Sequence, residues 1–294
     1  MKKTAAIVVT YNRKELLKQN IEHLIAQSSR DSLDIVIIDN ASTDGTNEHI
    51  CSFIDNREII YINTGENLGG AGGFHYGIKY AVENGYDYVW VMDDDCMPRE
   101  KALEEFYRWD KKLKGNYGFL SSKVLWKDGS ICAMNVQKEN KWKRLKNFDK
   151  VTPIQYASFV SLFIKAETIQ KVGLPYKEFF IWADDWEYTR RISKQMKCYY
   201  IPSSVVDHLS DSNVGADIIT APADRIDRFN YMYRNDVVLY RQDGLEGRIY
   251  LGVRNTVHRI KIVLKSTDKK RKLEIIKNAT KKGKKFSPKI EYIK

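Results

Sequence analysis

Apolar runs alternate with amphipathic stretches along the first third of this chain. Residues 3–10 carry Ala5-Ala6-Ile7-Val8-Val9, a short β-branched run of the kind a strand buried on both faces shows. Over residues 15–27, Leu16, Leu17, Ile21, Leu24 and Ile25 share one side at helical spacing, which predicts a helix. Residues 34–39 predict a second strand. The turn after it, Asn40 to Gly45, offers Ser42 and Thr43 as caps for a helix running toward Phe53. A third strand over 58–63, a third helix over 73–84 and a fourth strand over 86–92 complete the series. Strands alternating with helices predict an α/β fold with a mostly parallel sheet and helices on both faces.

On such sheets ligands bind outside the carboxyl ends of the strands, and the polar clusters fall there. Thr10-Tyr11-Asn12-Arg13 follows the first strand, Asp39-Asn40-Ala41-Ser42 the second, and Asn67-Leu68-Gly69-Gly70-Ala71-Gly72-Gly73-Phe74 the third. Met92-Asp93-Asp94-Asp95 closes the fourth. One such cluster is ordinary turn chemistry; four on one rim call for a ligand. Asp39 suits a ribose or nucleobase, and the glycine segment lets backbone N–H groups approach an anion at a helix start. Three consecutive carboxylates repel one another unless a hard cation such as Mg²⁺ or Mn²⁺ neutralises them. The glycine spacing is not GxGxxG and no GxxxxGK[ST] occurs, which excludes a dinucleotide dehydrogenase and a P-loop NTPase.

Val8-Val9-Thr10-Tyr11-Asn12-Arg13, Ile38 to Gly45 and Met92-Asp93-Asp94-Asp95 resemble the signatures of family 2 glycosyltransferases with the GT-A fold. Asn67 to Phe74 is similar to the galactofuranosyltransferase-like and rhamnosyltransferase-like branch. Phe179-Phe180-Ile181-Trp182-Ala183-Asp184-Asp185-Trp186-Glu187-Tyr188 resembles the Trp-Asp-Asp segment of galactofuranosyltransferases, with Ala183 as a one-residue departure. The resemblance covers roughly residues 3–235. It implies a nucleotide-sugar pocket lined by Thr10, Asn12, Arg13, Asp39, Asn40, Asn67, Gly70, Asp93 and Asp94. It implies Mn²⁺ or Mg²⁺ held by Asp95, His208 and Asp93, with Asp185 as catalytic base. Trp182, Asp184, Trp186 and Glu187 would meet the acceptor.

That chemistry needs two separate acid groups. A cation offsets the charge of the leaving nucleoside diphosphate, while a metal-free carboxylate takes the proton of the acceptor hydroxyl. Single displacement with such a base inverts the anomeric configuration. The resemblance favours UDP-galactofuranose as donor, with dTDP-rhamnose as the alternative. The expected acceptor is a glycan or lipid-linked glycan precursor in bacterial cell-envelope polysaccharide synthesis, and a basic C-terminal region fits one carried on a polyprenyl diphosphate.

The later chain is read more coarsely. Residues 123–150, rich in Lys and Trp, predict a hairpin or mobile loop, and 154–164 a strand returning beneath the acid triplet. Residues 224–240 have helical spacing and contain Tyr231-Met232-Tyr233-Arg234-Asn235, in which Arg234 is a candidate for a diphosphate. The expected organisation is a catalytic domain over 1–235, with a nucleotide half at 1–95 and an acceptor half at 96–235, then a helical basic appendage over 236–294.

Of the net charge of +11, much lies near the C-terminus, interleaved with Ile260, Ile262, Val263, Leu264, Leu273, Ile275 and Ile276. This predicts either an interfacial helix on anionic lipid or a solvated basic tail. The 43% hydrophobic and 30% charged content are those of a folded chain. Four scattered cysteines without CxxC suit a reduced cytosol. The apolar run after Met1-Lys2-Lys3 is too short for a signal peptide. A cytoplasmic enzyme peripheral to the membrane is expected. The basic charge also raises a nucleic-acid binder, but no RRM, KH or zinc-finger signature is present, so no nucleic-acid partner is expected. A catalytically silent binder of the same fold would lack one of the acids.

Overall fold

The computed structural model describes residues 2–293; Met1 and Lys294, the outer ends of the expected segments, lie outside them. The first half alternates as the sequence predicts. Strands β1 (Thr4–Thr10), β2 (Leu33–Asp39), β3 (Ile60–Asn63) and β4 (Tyr88–Asp93) are separated by helices α1 (Lys14–Ile25), α2 (Thr46–His49), α3 (Cys51–Asp55) and α4 (Gly69–Glu83). Then come β5 (Cys96–Pro98), α5 (Ala102–Lys112), β6 (Phe119–Trp126), the hairpin β7 (Lys138–Asn140) and β8 (Lys143–Arg144), and β9 (Thr152–Pro153). They are followed by β10 (Leu162–Lys165), α6 (Ala166–Val172), α7 (Asp184–Ser193), β11 (Tyr199–His208), α8 (Phe229–Arg241), α9 (Gly244–Lys265) and α10 (Lys269–Lys285).

The sheet runs β3-β2-β1-β4-β10-β6-β11-β5, with β9 beside β11. The first four strands are parallel; β10 is antiparallel to both neighbours, and β11 is parallel to β6 but antiparallel to β5 and β9. Because side chains alternate along a strand, β1 feeds both faces. Ala5, Ile7 and Val9 meet Phe74, Ile78, Val82 and Ile169 on one side. Ala6 and Val8 meet Leu17, Ile21, Leu103 and Phe106 on the other.

Three expectations are corrected. The glycine segment is not a loop ahead of the third helix: α4 already begins at Gly69. The helix toward Phe53 has Gly45 at its cap and no side-chain capping bond, so Ser42 and Thr43 do not cap it. The run 154–164 is not one strand. Ile154 donates its N–H to Cys198, Tyr156 to Lys138, and a 3-10 turn at Phe159–Ser161 precedes β10.

The C-terminal helices pack on the rest of the fold. Ile262, Ile275, Ile276 and Ala279 are buried with Phe229 and Tyr233, and Gly283 lies where a Cβ would meet Arg234 O at 2.6 Å. Residue 235 falls inside α8. The chain end returns to the sheet layer, where Leu174 donates to the carbonyl of Glu291 at 2.8 Å and the Glu291 carboxylate pairs with Lys79 at 2.7 Å. The apolar positions of α10 that suggested a lipid-facing side are thus an internal face.

Helix α4 approaches the sheet through Gly77, where a Cβ would lie 2.3 Å from Ile7 Cγ2 and 2.9 Å from Ile38 Cγ1. Gly77→Val should therefore force α4 off β1 and lower unfolding free energy by about 2–3 kcal/mol, the usual scale for overpacking. Urea denaturation checks this, and a loss below about 0.5 kcal/mol would show that α4 is not seated so closely.

Candidate active site

Parallel pairing sets Thr10 opposite Asp39 and Val9 opposite Asp93, so the ends of β1, β2 and β4 form one rim. The loops above are tied together. Asn12, at φ +55°, donates its N–H to Ser42 Oγ at 2.9 Å and accepts from the Thr43 N–H at 2.7 Å. Asp39 is buried and accepts from the Ser42 N–H at 2.9 Å and from Tyr61 Oη at 2.5 Å. Asn67 Oδ1 accepts from the Gly69 N–H at 2.9 Å, and Asn40 Nδ2 donates to the Gly69 carbonyl at 3.1 Å. Asn40 Oδ1 is buried with no partner among the described residues, and a Cβ on Gly70 would meet open space.

The acid triplet is crowded, with Asp94 and Asp95 buried and Asp93 half-buried. Burial, then the charges of Asp95 and Asp94, push Asp93 up to about 7 against the pull of His208. Burial drives Asp94 to about 6 despite Arg13 and a 2.8 Å bond from Thr10 Oγ1. Asp95 behaves oppositely: burial would raise it, but His208 and Arg13 together hold it below the ordinary carboxylate range. Arg13 Nη1 lies 2.6 Å from Asp95 Oδ2 and 3.3 Å from Asp94 Oδ1. His208 Nε2 lies 3.0 Å from Asp95 Oδ1.

Strand pairing brings His208 there, because β11 sets it opposite Cys96, the residue after Asp95. Its burial favours the neutral ring, yet the bonds to Asp95 and Cys132 outweigh that and raise it to about 10. As an imidazolium it donates through Nδ1 to Asn135 Oδ1 at 2.9 Å. Such a bond fixes the ring and leaves Nε2 facing the acids. Asn135 gave no signal in the sequence.

The second acid group sits at the start of α7. The segment before it is strained, with Phe180, Trp182 and Ala183 at φ of +64°, +67° and +65°. Asn235 on α8 holds it: Nδ2 donates to the carbonyls of Phe179, Ile181 and Trp182 at 3.0, 3.1 and 2.9 Å. Arg234 donates to the carbonyls of Glu178 at 2.7 Å and Phe179 at 3.1 Å. Arg234 is therefore a clamp on this loop, not the free diphosphate ligand expected.

Asp184 is buried and pushed up to about 6 by that burial, with first-turn N–H groups of α7 opposing. Asp185 is raised well above its ordinary value by burial, then by Asp184, while the Trp186 N–H at 2.6 Å opposes; Asp93 is close enough to raise it further. The two acid groups thus share one site. Glu187 does not face an acceptor as expected. Its carboxylate is buried and both oxygens accept from Arg191, at 3.1 and 2.8 Å.

The Trp182 ring packs at 4.9 Å from Phe229. The Trp186 ring has Lys138 Nζ over it at 3.7 Å. Lys138, on β7, is buried, and its desolvation lowers it to about 7. Sequence reading missed it, since nothing local to residue 138 announces a neighbour on α7.

Among the described residues, no three His, Cys, Asp or Glu side chains converge as a ready cation cage. The donor chemistry nevertheless fits a hard divalent ion. Asp93 and Asp95 would supply oxygens, and His208, held from behind by Asn135, would supply Nε2 once the proton it directs at Asp95 has left, because a metal-bound imidazole is neutral at that nitrogen.

Residues 5–121 match Glycosyl transferase family 2. The chain is 24% identical over 256 residues to galactofuranosyltransferase GlfT1 of Mycolicibacterium smegmatis, covering 82% of this chain and 83% of the relative. It is 26% identical over 166 residues to the poly-beta-1,6-N-acetyl-D-glucosamine synthase of Staphylococcus aureus, covering 55% of this chain and 35% of that one. Among solved structures, S. aureus TarS superposes with a TM-score of 0.59 at 13% identity, over 97% of this chain and 44% of TarS. Mannosyltransferase PcManGT from Pyrobaculum calidifontis, solved with GDP-Man and Mn²⁺, gives 0.58 at 15% identity, over 94% and 73%. These structural likenesses show the fold, the GT-A arrangement that the motifs implied.

Asp93 gives a stability test. Its folded value, about 7, lies above the ordinary value near 4. A group raised on folding contributes stability that is full below its unfolded pKa and is lost as pH rises through the folded one. In EDTA, Asp93→Asn should therefore melt increasingly above wild type as pH goes from 5 to 8. Parallel melting curves across that window would overturn the assignment.

Proposed function

We propose, from the match of residues 5–121 to Glycosyl transferase family 2, that this chain is an inverting, cation-dependent transferase. It moves galactofuranose from UDP-galactofuranose to a hydroxyl of a glycan carried on a polyprenyl diphosphate, in bacterial polysaccharide synthesis. The observation that carries the reading is the meeting of two differently treated acid groups: Asp93 is felt by Asp185, yet Asp95 is held ionised by cations while Asp185 is not. Likeness to mycobacterial galactofuranosyltransferases over most of both chains supports the donor sugar.

Asp95, His208 and Asp93 would hold Mn²⁺ or Mg²⁺, which when bound offsets the charge of the leaving diphosphate. Each Asp39 oxygen already takes one hydrogen bond and retains acceptor capacity for ribose or base hydroxyls and N–H groups. Asn12 and Asn67 shape the loops around the nucleotide, Asn40 offers its unpartnered Oδ1, and Thr10 keeps Asp94 in place from below. Gly70 leaves room for phosphate oxygens. Arg13, exposed on its solvent side, can pass its guanidinium from Asp94 and Asp95 to the diphosphate.

On the acceptor side, Asp185 takes the proton of the attacking hydroxyl, and the raised proton affinity of its carboxylate suits that task. Asp184 positions the first turn of α7. Trp182 and Trp186 supply apolar walls for sugar faces, the latter stiffened by Lys138.

Nucleotide binding should be cation-assisted and should depend on Asp95. Calorimetry of UDP with Mn²⁺ is expected to show binding that EDTA or Asp95→Ala largely removes. Equal affinity in EDTA would reduce residues 93–95 to an acidic turn. A donor panel scored by nucleotide release tests the sugar, and preferential turnover of a dTDP-sugar would sink UDP-galactofuranose.

For the base, Asp185→Asn should keep UDP binding near wild type and lower transfer by roughly 10²–10⁴-fold, because Asn holds the hydroxyl but cannot accept its proton. Asp184→Asn should cost less. Near wild-type transfer by Asp185→Asn beside a dead Asp184→Asn would move the base to the other carboxylate.

A further inference from the structure

Helix α9 carries two apolar faces, and only one is used inside the fold. Leu251, Asn255 and Ile262 are buried on the inner side. On the opposite side, Leu245, Ile249, Val253, Val257, Ile260 and Leu264 recur at steps of three or four residues, which makes one continuous stripe. Exposure along it runs from 41% at Val257 to 74% at Leu245, with Leu264 at 71%. Isolated exposed aliphatics are ordinary, but a stripe along a 22-residue helix marks a contact surface.

The residues beside the stripe say what the contact is. Exposed Arg248 and Arg259 border it on one side and exposed Lys261 and Lys265 on the other. The one acid on α9, Glu246, is already held by Lys141 Nζ at 2.8 Å and by the Trp142 indole N–H at 3.2 Å. Helix α10 then exposes Lys277, Lys281, Lys282 and Lys285. No helix among the described residues is long and apolar enough to cross a membrane. We infer that the outer face of α9 docks in the interface of an anionic lipid bilayer, its aliphatic stripe among the acyl chains and its basic borders on the headgroups. An amphipathic helix with basic flanks has this physical preference. A second copy is a poorer occupant, since pairing stripe to stripe would bring the same basic borders together.

Trp142 supports the placement. It is 59% exposed, packs edge-on against Tyr250 of α9 at 4.6 Å, and sits at the tip of the hairpin β7–β8. Tryptophan favours the membrane–water interface. The same hairpin carries Lys138 against Trp186, so the lipid-facing helix is one hairpin away from the acceptor side of the site. The inference goes beyond the proposed transfer reaction and does not rest on it.

The test is co-sedimentation of the full chain with vesicles of phosphatidylcholine alone and with added phosphatidylglycerol. Wild type should pellet with the anionic vesicles. The double change Ile249→Ser and Ile260→Ser should lower that binding at least tenfold, and Leu264→Ser alone should lower it measurably. Both should keep the wild-type melting temperature and UDP affinity, which read the fold and the transfer site separately. Lys277→Glu with Lys281→Glu should weaken binding in a salt-dependent way. Wild type that pellets with neither vesicle, or a stripe variant that pellets like wild type, overturns the proposal. So does a dimer that the stripe variant dissolves while vesicle binding stays unchanged.

Discussion

The acid triplet at the end of β4 carries more negative charge than the fold neutralises, and much of the site is arranged around that imbalance. Three buried or half-buried carboxylates share one guanidinium and one imidazolium. The arrangement is costly, because desolvation disfavours each ionised form and the like charges add to it. The protein responds by raising the proton affinity of Asp93 and Asp94 and by concentrating both cations on Asp95. That concentration requires the antiparallel pairing of β5 with β11, which delivers His208, and it requires Asn135 behind the ring. The mixed second half of the sheet therefore exists in part to complete a site that the parallel half begins.

The start of α7 depends on a different device. Three non-glycine residues in the left-handed region cost of order 1–3 kcal/mol each, and that strain aims the first turn of α7 at the rim. Asn235 and Arg234 tie the strained carbonyls to α8, and α10 packs closely on α8 at Gly283. The basic C-terminal helices are thus coupled to the geometry of Asp185 through three layers of packing. A run of lysines that reads as a detachable tail has one side built into the core: even Lys272 is buried, donating to the carbonyls of Ile219 at 3.0 Å and Ala221 at 3.2 Å.

Local pattern made β1 to β4 and the clusters at their ends legible, because strands buried on both faces leave an unambiguous apolar run. It misled where tertiary contact overrode propensity. The glycines of residues 69–73 look like a loop by composition, but close approach to Val9 makes glycine at position 73 the price of seating α4 on the sheet. The run 154–164 is largely apolar, broken by Gln155, Ser158 and Ser161, yet its backbone groups pair in turn with Cys198, Lys138 and the strands β4 and β6, so it cannot be one strand. Glu187 and Arg191 stand four apart, a helical ion-pair spacing that competes with any ligand role. Asn135 and Lys138 were invisible for a different reason: their partners lie 73 residues away at His208 and on α7 at Trp186, and no local signal encodes either.

The divergence between Asp95 and Asp185 would let one small site do the two jobs proposed for it. Asp95 has a guanidinium and an imidazolium within hydrogen-bond reach. Asp185 has only the N–H of Trp186 and the start of a helix to favour its charge. The nearby ammonium of Lys138 is itself desolvated and lowered to about 7, so near neutral pH it is only partly charged and gives Asp185 less support than a solvated lysine would. A carboxylate kept ionised is a ligand, whereas one left short of positive partners holds a proton more tightly. Pairs of acids pushed apart in this way are how a fold assigns separate roles to identical side chains. Here the separation is built from which strand or helix end each carboxylate terminates, not from any difference in the residues themselves.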